Sequence, residues 1–424
     1  MNIYDELKWR GLIYDGTEGV REHLEDNKVT LYIGFDPTAK SLHVGSLLQI
    51  LALARMQKAG HRPIGVVGGG TGLIGDPSGK TAERQLLTRE KVQENLDGIR
   101  EQLSRFLDFE SEENGAMVID NGDWLCAISL IDFLRDIGKH FTVNYLMAKD
   151  SVKSRMEGDQ GLSFTEFSYS LLQSYDFVEL LDRHDCTLQM GASDQWGNIT
   201  AGTELIRKLR GRKAYGLVSP LVTSSTGVKF GKTESGAVWL DAELTSPYEF
   251  YQFWLNVADA DVVKYLKFFT WFTQEEIAEL EAKHQAAPQD RDAHRALARE
   301  VTRMVHGEAA LDVAEKSSKV LFGGDFEGLA AADVRGIFGD VPSTDLTVDQ
   351  LGDGMGLVDL LVECGLAPSK GQARRLIKDG GIYLNNVRAA DEKAAVTASD
   401  FMDGQVLVLR KGRKVYHLVQ ISGV

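Results

Sequence analysis

Residues Tyr32 to Gly45 read YIGFDPTAKSLHVG. The apolar run from Thr30 to Ile33 predicts a short strand that stops at Gly34, and Asp36-Pro37-Thr38 supplies a turn. His43-Val44-Gly45-Ser46 then opens an amphipathic pattern, LLQILALARMQKAG, that reads as a helix. A strand end followed by a helix start turns backbone N–H groups and the positive end of a helix dipole toward one point, where an anion is stabilised. His43 and Gly45 occupy that place. Far along the chain, Lys229 to Gly236 reads KFGKTESG, in a loop that begins SSTG. Lys229 and Lys232, with Gly231 between them, suit closure over phosphates from the other side.

The same alternation continues outward. Strand-like runs recur at LYIGF, PIGVVGG, AMVIDN and TLQMGA, each followed by a helical pattern. This predicts an α/β fold, a doubly wound, Rossmann-like parallel sheet over residues 1–220. Met190 to Asp194 ends one strand, and Trp196 to Leu209 reads as a helix. Ligands of such sheets bind outside the carboxyl ends of the strands, where Gly34, Gly68 to Gly70 and Gly191 fall. The lysine loop occupies 221–246. Residues 247–325 read as a helical domain, and 326–354, rich in Gly and Asp, as a linker with short elements. A new pattern starts at Met355. GLVDLLVECG and SKGQARRLIKDGG read as short helices, the second capped by Ser369, and IYLNNVRA and GQVLVLRKGRKVYHLVQI as strands. Residues 355–424 are therefore expected to form a small α+β domain.

Composition narrows the classes of function. A chain of 424 residues with 43% hydrophobic content supports several domains. It holds no apolar run of about 18 residues or more, so no membrane-spanning helix is expected. The opening MNIYDELKWRG is polar and mixed in charge and predicts no secretory signal. Cys126, Cys186 and Cys364 are scattered, which argues against a zinc site and a disulfide framework and fits a reducing cytoplasm. Net charge is −15, yet residues 355–424 carry ten Lys/Arg against seven Asp/Glu, +3, leaving −18 for the rest. A basic module on an acidic body is compatible with RNA binding through local patches. Lys370, Arg374 and Lys378 recur at i, i+4 and i+8 and share a helix face, with Arg375 beside them. Spacing alone fits a solvated basic face as well as an RNA contact. Arg410, Lys411, Arg413 and Lys414 add to the same charge.

Two other motifs compete. Gly70 to Gly75 fits GxGxxG after a strand and would point to a nucleotide-dependent oxidoreductase. The next residues, Asp76-Pro77-Ser78-Gly79, read as a turn rather than a helix. Gly79-Lys80-Thr81 is similar to the end of a P-loop, but Ile74 stands where that motif needs glycine. Five glycines in eight residues are expected to let the backbone approach a bound ligand. In SFTEFSYSLLQSYDF, Tyr169, Gln173 and Asp176 recur at i, i+4 and i+7, a polar stripe on an otherwise hydrophobic helix. Buried polar groups of this kind want partners.

Taken together, these segments resemble the class I aminoacyl-tRNA synthetases, in their bacterial tyrosyl branch. HVGS stands where that family has its His-x-Gly-His signature, and KFGKT where it has its Lys-x-x-Lys-Ser/Thr loop. VGGGTGLIGDPSGK, SFTEFSYSLLQSYDF, QMGASDQWGNITAG and SPYEFYQFW are also similar to it. The last 70 residues resemble an S4-type RNA-binding domain, so the resemblance covers essentially the whole chain.

The resemblance implies activation of L-tyrosine with ATP, with Mg²⁺ accompanying the ATP, and transfer of tyrosine to the 3′ end of tRNA(Tyr). It implies no tightly bound cofactor and no resident metal. His43, Lys229, Lys232 and Thr38 would carry catalysis. Gly34, Asp36, Gly45, Gly191, Asp194 and Thr233 would join His43 and the two lysines in binding ATP. Lys80 and Arg84 would reach the pyrophosphate. Tyr32 and Asp176 would bond the phenol hydroxyl. Asp76, Tyr169 and Gln173 would surround the α-ammonium, with Gln195 near the carboxylate. Lys370, Arg374, Arg375 and Lys378 would contact RNA, and the helical domain would lie on the anticodon side. A cytoplasmic homodimer, joined around Ile131 to Met147, completes what it implies.

The chain departs from the family pattern at Ser46, which replaces the second signature histidine, and at Gln49, Ala192 and Phe230-Gly231. Tryptophan is the nearest rival substrate, and an Asp176–Tyr32 pair suits a hydroxyl better than an indole N–H. An RNA-binding protein without charging activity is disfavoured, because both signature loops keep their charged residues.

Overall fold

The computed structural model describes residues 2–78, 87–156, 161–223, 225, 230–233, 236–321, 324–338, 341–412 and 415–422. For Asp150, Ser151, Ser154, Lys232, Thr233, Leu321 and Ser422 it describes the backbone alone. Two compact units are present. One comprises Met1–Asp241 with Ala258–Ala293, the other Ala242–Val257 with His294–Val424. The helical stretch 247–325, expected as one domain, is shared between them.

The first unit is built on a six-stranded sheet. Its strands are β1 (Asp15–Gly16), β2 (Thr30–Phe35), β3 (Arg62–Val67), β4 (Met117–Asp120), β5 (Cys186–Ala192) and β6 (Tyr215–Ser219), in the order β1-β6-β5-β2-β3-β4. All pairs are parallel except the β1–β6 edge. Leu31, Tyr32 and Ile33 are buried in succession, as a central parallel strand covered on both faces requires. Strand β2 runs through Gly34 to Phe35 rather than stopping at Gly34, because the ladder with β3 continues to Phe35 opposite Val67. Tyr32 lies opposite Ile64 on one side and Gln189 on the other, so the carboxyl ends of β2, β3 and β5 coincide. The chain leaves β2 toward β3 and β4, and later leaves β5 toward β6. The order reverses between β2 and β5, and a crevice opens there.

The helix Val44–Lys58 starts where expected, with His43 as its N-cap. It is buried on nearly every side rather than along one stripe, since Leu47, Leu48, Ile50, Leu51 and Leu53 are all within the core. Among the described residues no helix is long and apolar enough to cross a membrane.

In the second unit, strands Ser343–Thr347, Ile382–Leu384, Val387–Arg388, Val406–Lys411 and Val415–Ser422 form one sheet. Asn385 and Asn386 both have positive φ, 44° and 61°, and close a two-residue hairpin. The helices Leu357–Glu363 and Lys370–Lys378 lie where the sequence predicts them, and Ser369 accepts a hydrogen bond from the Gln372 N–H. The stretch 326–354 is not a plain linker. Strand Ser343–Thr347 pairs in parallel with Val415–Ser422, and helix Ala331–Ile337 packs under the sheet. Phe326, Val334 and Phe338 are buried against Val406, Val408 and Leu418. Gly and Asp between these widely spaced apolar residues give the stretch its linker-like composition.

Candidate active site

The crevice between β2 and β5 holds a cavity of about 180 Å³. One wall is the helix Phe164–His184. Its apolar side, with Phe177, Val178, Leu180 and Leu181, packs into the core beside Leu205 and Ile206. The polar stripe Tyr169, Gln173 and Asp176 faces the cavity. Arg155 and Glu166, both buried, form an ion pair of 2.8 Å near the helix start and hold that end in place.

At the closed end, each carboxylate oxygen of Asp176 accepts one hydrogen bond. Trp124 Nε1 donates to one at 2.7 Å and Asn121 Nδ2 to the other at 2.9 Å. Burial pushes the Asp176 carboxyl up to about 7, while those two donors pull the other way. Beside it, Tyr32 Oη is buried and has no hydrogen-bond partner among the described residues. Burial, and then Asp176, raise its phenol well above the ordinary range, so it stays a neutral O–H. A hydroxyl with no partner next to an acceptor-rich carboxylate is a cradle for one more hydroxyl group. Sequence reasoning misses Asn121 and Trp124, since AMVIDN reads only as a strand ahead of a helical pattern. It also misses Gln189, which lines the cavity and whose buried Oε1 has no hydrogen-bond partner among the described residues.

At the open end, Asp76 accepts from Gln195 Nε2 at 2.8 Å and from the Ser78 N–H at 2.9 Å. Gln173 donates to Gln195 at 3.3 Å and accepts from Asn198 at 3.1 Å. Tyr169 is buried, and its phenol is raised well above the ordinary range by burial first, then by Asp36, Asp76 and Asp176. These three carboxyl groups line the cavity, and its described lining includes no lysine or arginine. Such a lining favours a cation in the cavity.

Tyr32, Gly34, Asp36, Asp76, Tyr169, Gln173, Asp176, Gly191 and Gln195 thus meet in one cavity, with Gln49 and Ala192. Thr38 and Asp194 do not line it. Thr38 is exposed at the turn, with its N–H donating to the Asp36 carbonyl at 2.9 Å, and Asp194 lies in the turn Ser193–Gln195 after β5. The GxGxxG segment carries a single 3-10 turn, Thr71–Leu73, and not an α-helix. Gly68 lines the cavity, while Gly69, Gly70 and Gly72 are closely packed against Asp120, Leu125 and Pro37. A side chain on Gly69 would run into the Asp120 carboxylate, which accepts from the Gly69 N–H at 2.9 Å.

His43 and the lysine loop come together beyond the cavity. The N–H of Gly45, expected to face an anion, instead donates to His43 Nδ1 at 3.0 Å. A neutral His43 therefore carries its proton on Nε2. The imidazole lies edge-on to Trp239, and His43 pairs with Trp239 as an isolated bridge. The Val44 N–H donates to the Val238 carbonyl, and the Val238 N–H to the Gly231 carbonyl. Gly231 has φ 81°, and a side chain there would lie 2.6 Å from the Val44 side chain. The loop glycine is thus needed for close approach to the helix start. The backbone of Lys232–Thr233 pairs with Gly236–Ala237. Lys229, Lys80 and Arg84 lie outside the described residues.

In the second unit, Lys370, Arg374 and Lys378 lie on the helix after Ser369 together with Arg375, and Lys370 pairs with Asp359 at 2.6 Å. Lys370 and Arg374 are exposed. Arg410 and Lys411 serve the fold instead. Arg410 donates to Asn386 and to the Gly412 carbonyl, both at 2.8 Å, and lies over the Tyr383 ring. Lys411 donates to the Leu366 carbonyl at 2.8 Å. Arg413 and Lys414 lie outside the described residues.

Comparison with known proteins agrees with this geometry. Residues 24–323 match the family described as tRNA synthetases class I (W and Y), and residues 333–419 match a tyrosine–tRNA ligase SYY-like C-terminal domain. The chain is 60% identical over 420 residues to a tyrosine–tRNA ligase of Roseiflexus castenholzii, covering 99% of each chain. It is 54% identical over 425 residues to one of Bacillus caldotenax, covering 100% of each. Among solved structures, a C-terminally truncated mitochondrial tyrosyl-tRNA synthetase of Aspergillus nidulans superposes with a TM-score of 0.68 at 29% identity. That match covers 76% of this chain and 94% of that one. With a family match over most of its length and relatives this similar from end to end, the chain belongs to the class I tRNA synthetases of the tryptophan and tyrosine group.

Proposed function

We infer that the chain is a tyrosine–tRNA ligase, which uses ATP to join L-tyrosine to tRNA(Tyr). The observation that carries the choice of amino acid is the buried Tyr32 hydroxyl beside the doubly bonded Asp176 carboxylate. In the first step the tyrosine carboxylate attacks the α-phosphate of ATP, and pyrophosphate leaves. No general base is required, because a carboxylate is already ionised at neutral pH. Catalysis then rests on positioning and on stabilising charge at the transferring phosphate. In the second step a ribose hydroxyl at the tRNA 3′ end attacks the carbonyl of the adenylate, and AMP leaves.

The residue roles belong to the same proposal. Tyr32 and Asp176 bond the phenol hydroxyl. Asp76, Tyr169 and Gln173 hold the ammonium, and Gln195 lies near the carboxylate. Gly34, Asp36, Thr38, Gly191 and Asp194 serve the ribose and α-phosphate. His43, Gly45, Lys229, Lys232 and Thr233 serve the outer phosphates of ATP, which enters with Mg²⁺. The enzyme acts in the cytoplasm. The direct test is charging of tRNA(Tyr) with labelled tyrosine in the presence of ATP. Formation of an acid-precipitable product supports the reading, and its absence with an active relative as control overturns it.

The C-terminal module binds RNA in an S4-like manner, through the basic face of helix Lys370–Lys378, and the helical stretch 247–325 lies on the anticodon side. Arg374→Glu combined with Lys378→Glu is expected to weaken tRNA binding and flatten its dependence on salt. Removing one phosphate-binding charge lowers the logarithmic salt slope by roughly one. Pyrophosphate exchange should stay normal in the same variant. An unchanged salt slope would remove this face from the RNA interface.

The protein works as a homodimer joined through the surface around Ile131 to Met147. Leu130 and Ile131 are each 70% exposed and Val143 60%. Large apolar side chains exposed together in this way mark an association surface. Ile131→Asp is expected to halve the mass measured by sedimentation at micromolar concentration. A mass equal to that of the unaltered dimer would place the interface elsewhere.

A further inference from the structure

Phe230 lies inside the KFGKT loop, one residue after Lys229 and two before Lys232. Its ring packs on one face of the helix Val262–Phe269. The centroids lie 4.7 Å from Tyr265 and 5.3 Å from Phe269, the latter stacked at 19°. Tyr265 and Phe269 are fully buried. The same helix holds the start of the loop. Asp261, at its N-cap, accepts from the Ser225 N–H at 2.8 Å. Lys264 Nζ donates to the Thr223 carbonyl at 2.9 Å, and Tyr265 Oη to the same carbonyl at 3.4 Å.

The helix is itself anchored to the other signature. Arg55 donates to the carbonyls of Phe268 and Thr270, each at 3.0 Å, and Arg10 to those of Lys267, Thr270 and Phe272. Arg55 stands on helix Val44–Lys58, whose first turn receives Gly231. The contacts therefore form a ring. The helix behind His43 fixes the end of Val262–Phe269, that helix holds Thr223, Ser225 and Phe230, and Gly231 returns to the start of the helix behind His43.

We propose that Phe230 is a positioning residue, and that the Tyr265–Phe269 face is the seat that sets the lysine loop at its working distance from the His43 end of the site. The proposal rests on the reading that the loop serves ATP phosphates. Its physical basis is that two buried rings fix Phe230 in place, and through the adjoining peptide units the backbone of Gly231 and Lys232. A point charge acts on a transferring phosphate only where its backbone puts it, and a displacement of about 1 Å can cost roughly 10² in rate.

The test uses the full chain with Phe230→Ala, Phe230→Leu and Lys232→Ala. Single-turnover adenylate formation and equilibrium tyrosine binding are measured for each. Phe230→Ala is expected to slow adenylate formation by roughly 10²-fold while tyrosine affinity stays unchanged. Phe230→Leu, which keeps apolar bulk on the seat, is expected to recover part of that rate. A normal rate in Phe230→Ala with a slow Lys232→Ala overturns the seat and leaves the phosphate reading intact. Normal rates in both overturn the two together. A Phe230→Ala variant that loses rate and tyrosine affinity in equal measure also overturns the proposal, since general damage to the fold would do the same.

Discussion

Tyr32→Phe or Asp176→Asn is expected to cost the enzyme most of its preference for tyrosine over phenylalanine. In the structure, Asp176 and Tyr32 both line the cavity and are buried, at 3% and 2% exposure. Asp176 is already held by Asn121 and Trp124, so it offers its remaining lone pairs to a ligand in a fixed direction. Tyr32 offers an O–H with no protein partner among the described residues. Phenylalanine in that site would leave both groups short of a partner and buried. A site of this kind rejects the analogue lacking the hydroxyl by about 10⁴–10⁵, a magnitude known from enzymes of this very family rather than deduced from the present geometry. Losing one of the two groups should remove a large part of it. The measurement is kcat/KM for activation of each amino acid, in each variant. Unchanged selectivity in both variants would sink the pocket assignment.

Lys232→Ala is expected to slow adenylate formation far more than it weakens tyrosine binding. The backbone of Lys232 comes directly after Gly231, which packs on the first turn of the helix behind His43. That puts the backbone at the His43 end of the helix, outside the lining of the cavity. A cation that meets phosphate mainly in the transition state lowers the rate when removed and leaves the amino-acid complex intact. By analogy with removal of one oxyanion donor, the loss is roughly 10²–10³ in rate. Pre-steady-state kinetics showing a normal rate with weakened tyrosine affinity would contradict it.

Strands β2, β3, β4 and β5 are legible in the sequence because each is a run of apolar residues before a helical pattern. Edge strand β1 is not, being two residues long, and β6 is hidden behind the charged stretch RGRK. The cavity residues of helix Phe164–His184 are legible as polar positions on an apolar helix. Asn121 and Trp124 are not, since their part depends on where β4 ends relative to Asp176, a distance that spacing along the chain does not carry. The glycines at 68–70 suggest a ligand cradle in the sequence. Their neighbours are Thr71, Asp120 and Leu125, and only the folded chain reveals them. Arg410 and Lys411 show the same limit, because charge in a sequence does not tell a phosphate contact from a hydrogen bond to a carbonyl.

A cavity that selects tyrosine for activation by ATP should show itself most directly in amino-acid-dependent exchange of labelled pyrophosphate into ATP. The exchange is run with the unaltered chain across all the standard amino acids. Rapid exchange with tyrosine, and none above background with phenylalanine or tryptophan at comparable concentrations, is the expected result. Exchange driven by tryptophan or phenylalanine as well as by tyrosine, or none with tyrosine, would contradict it.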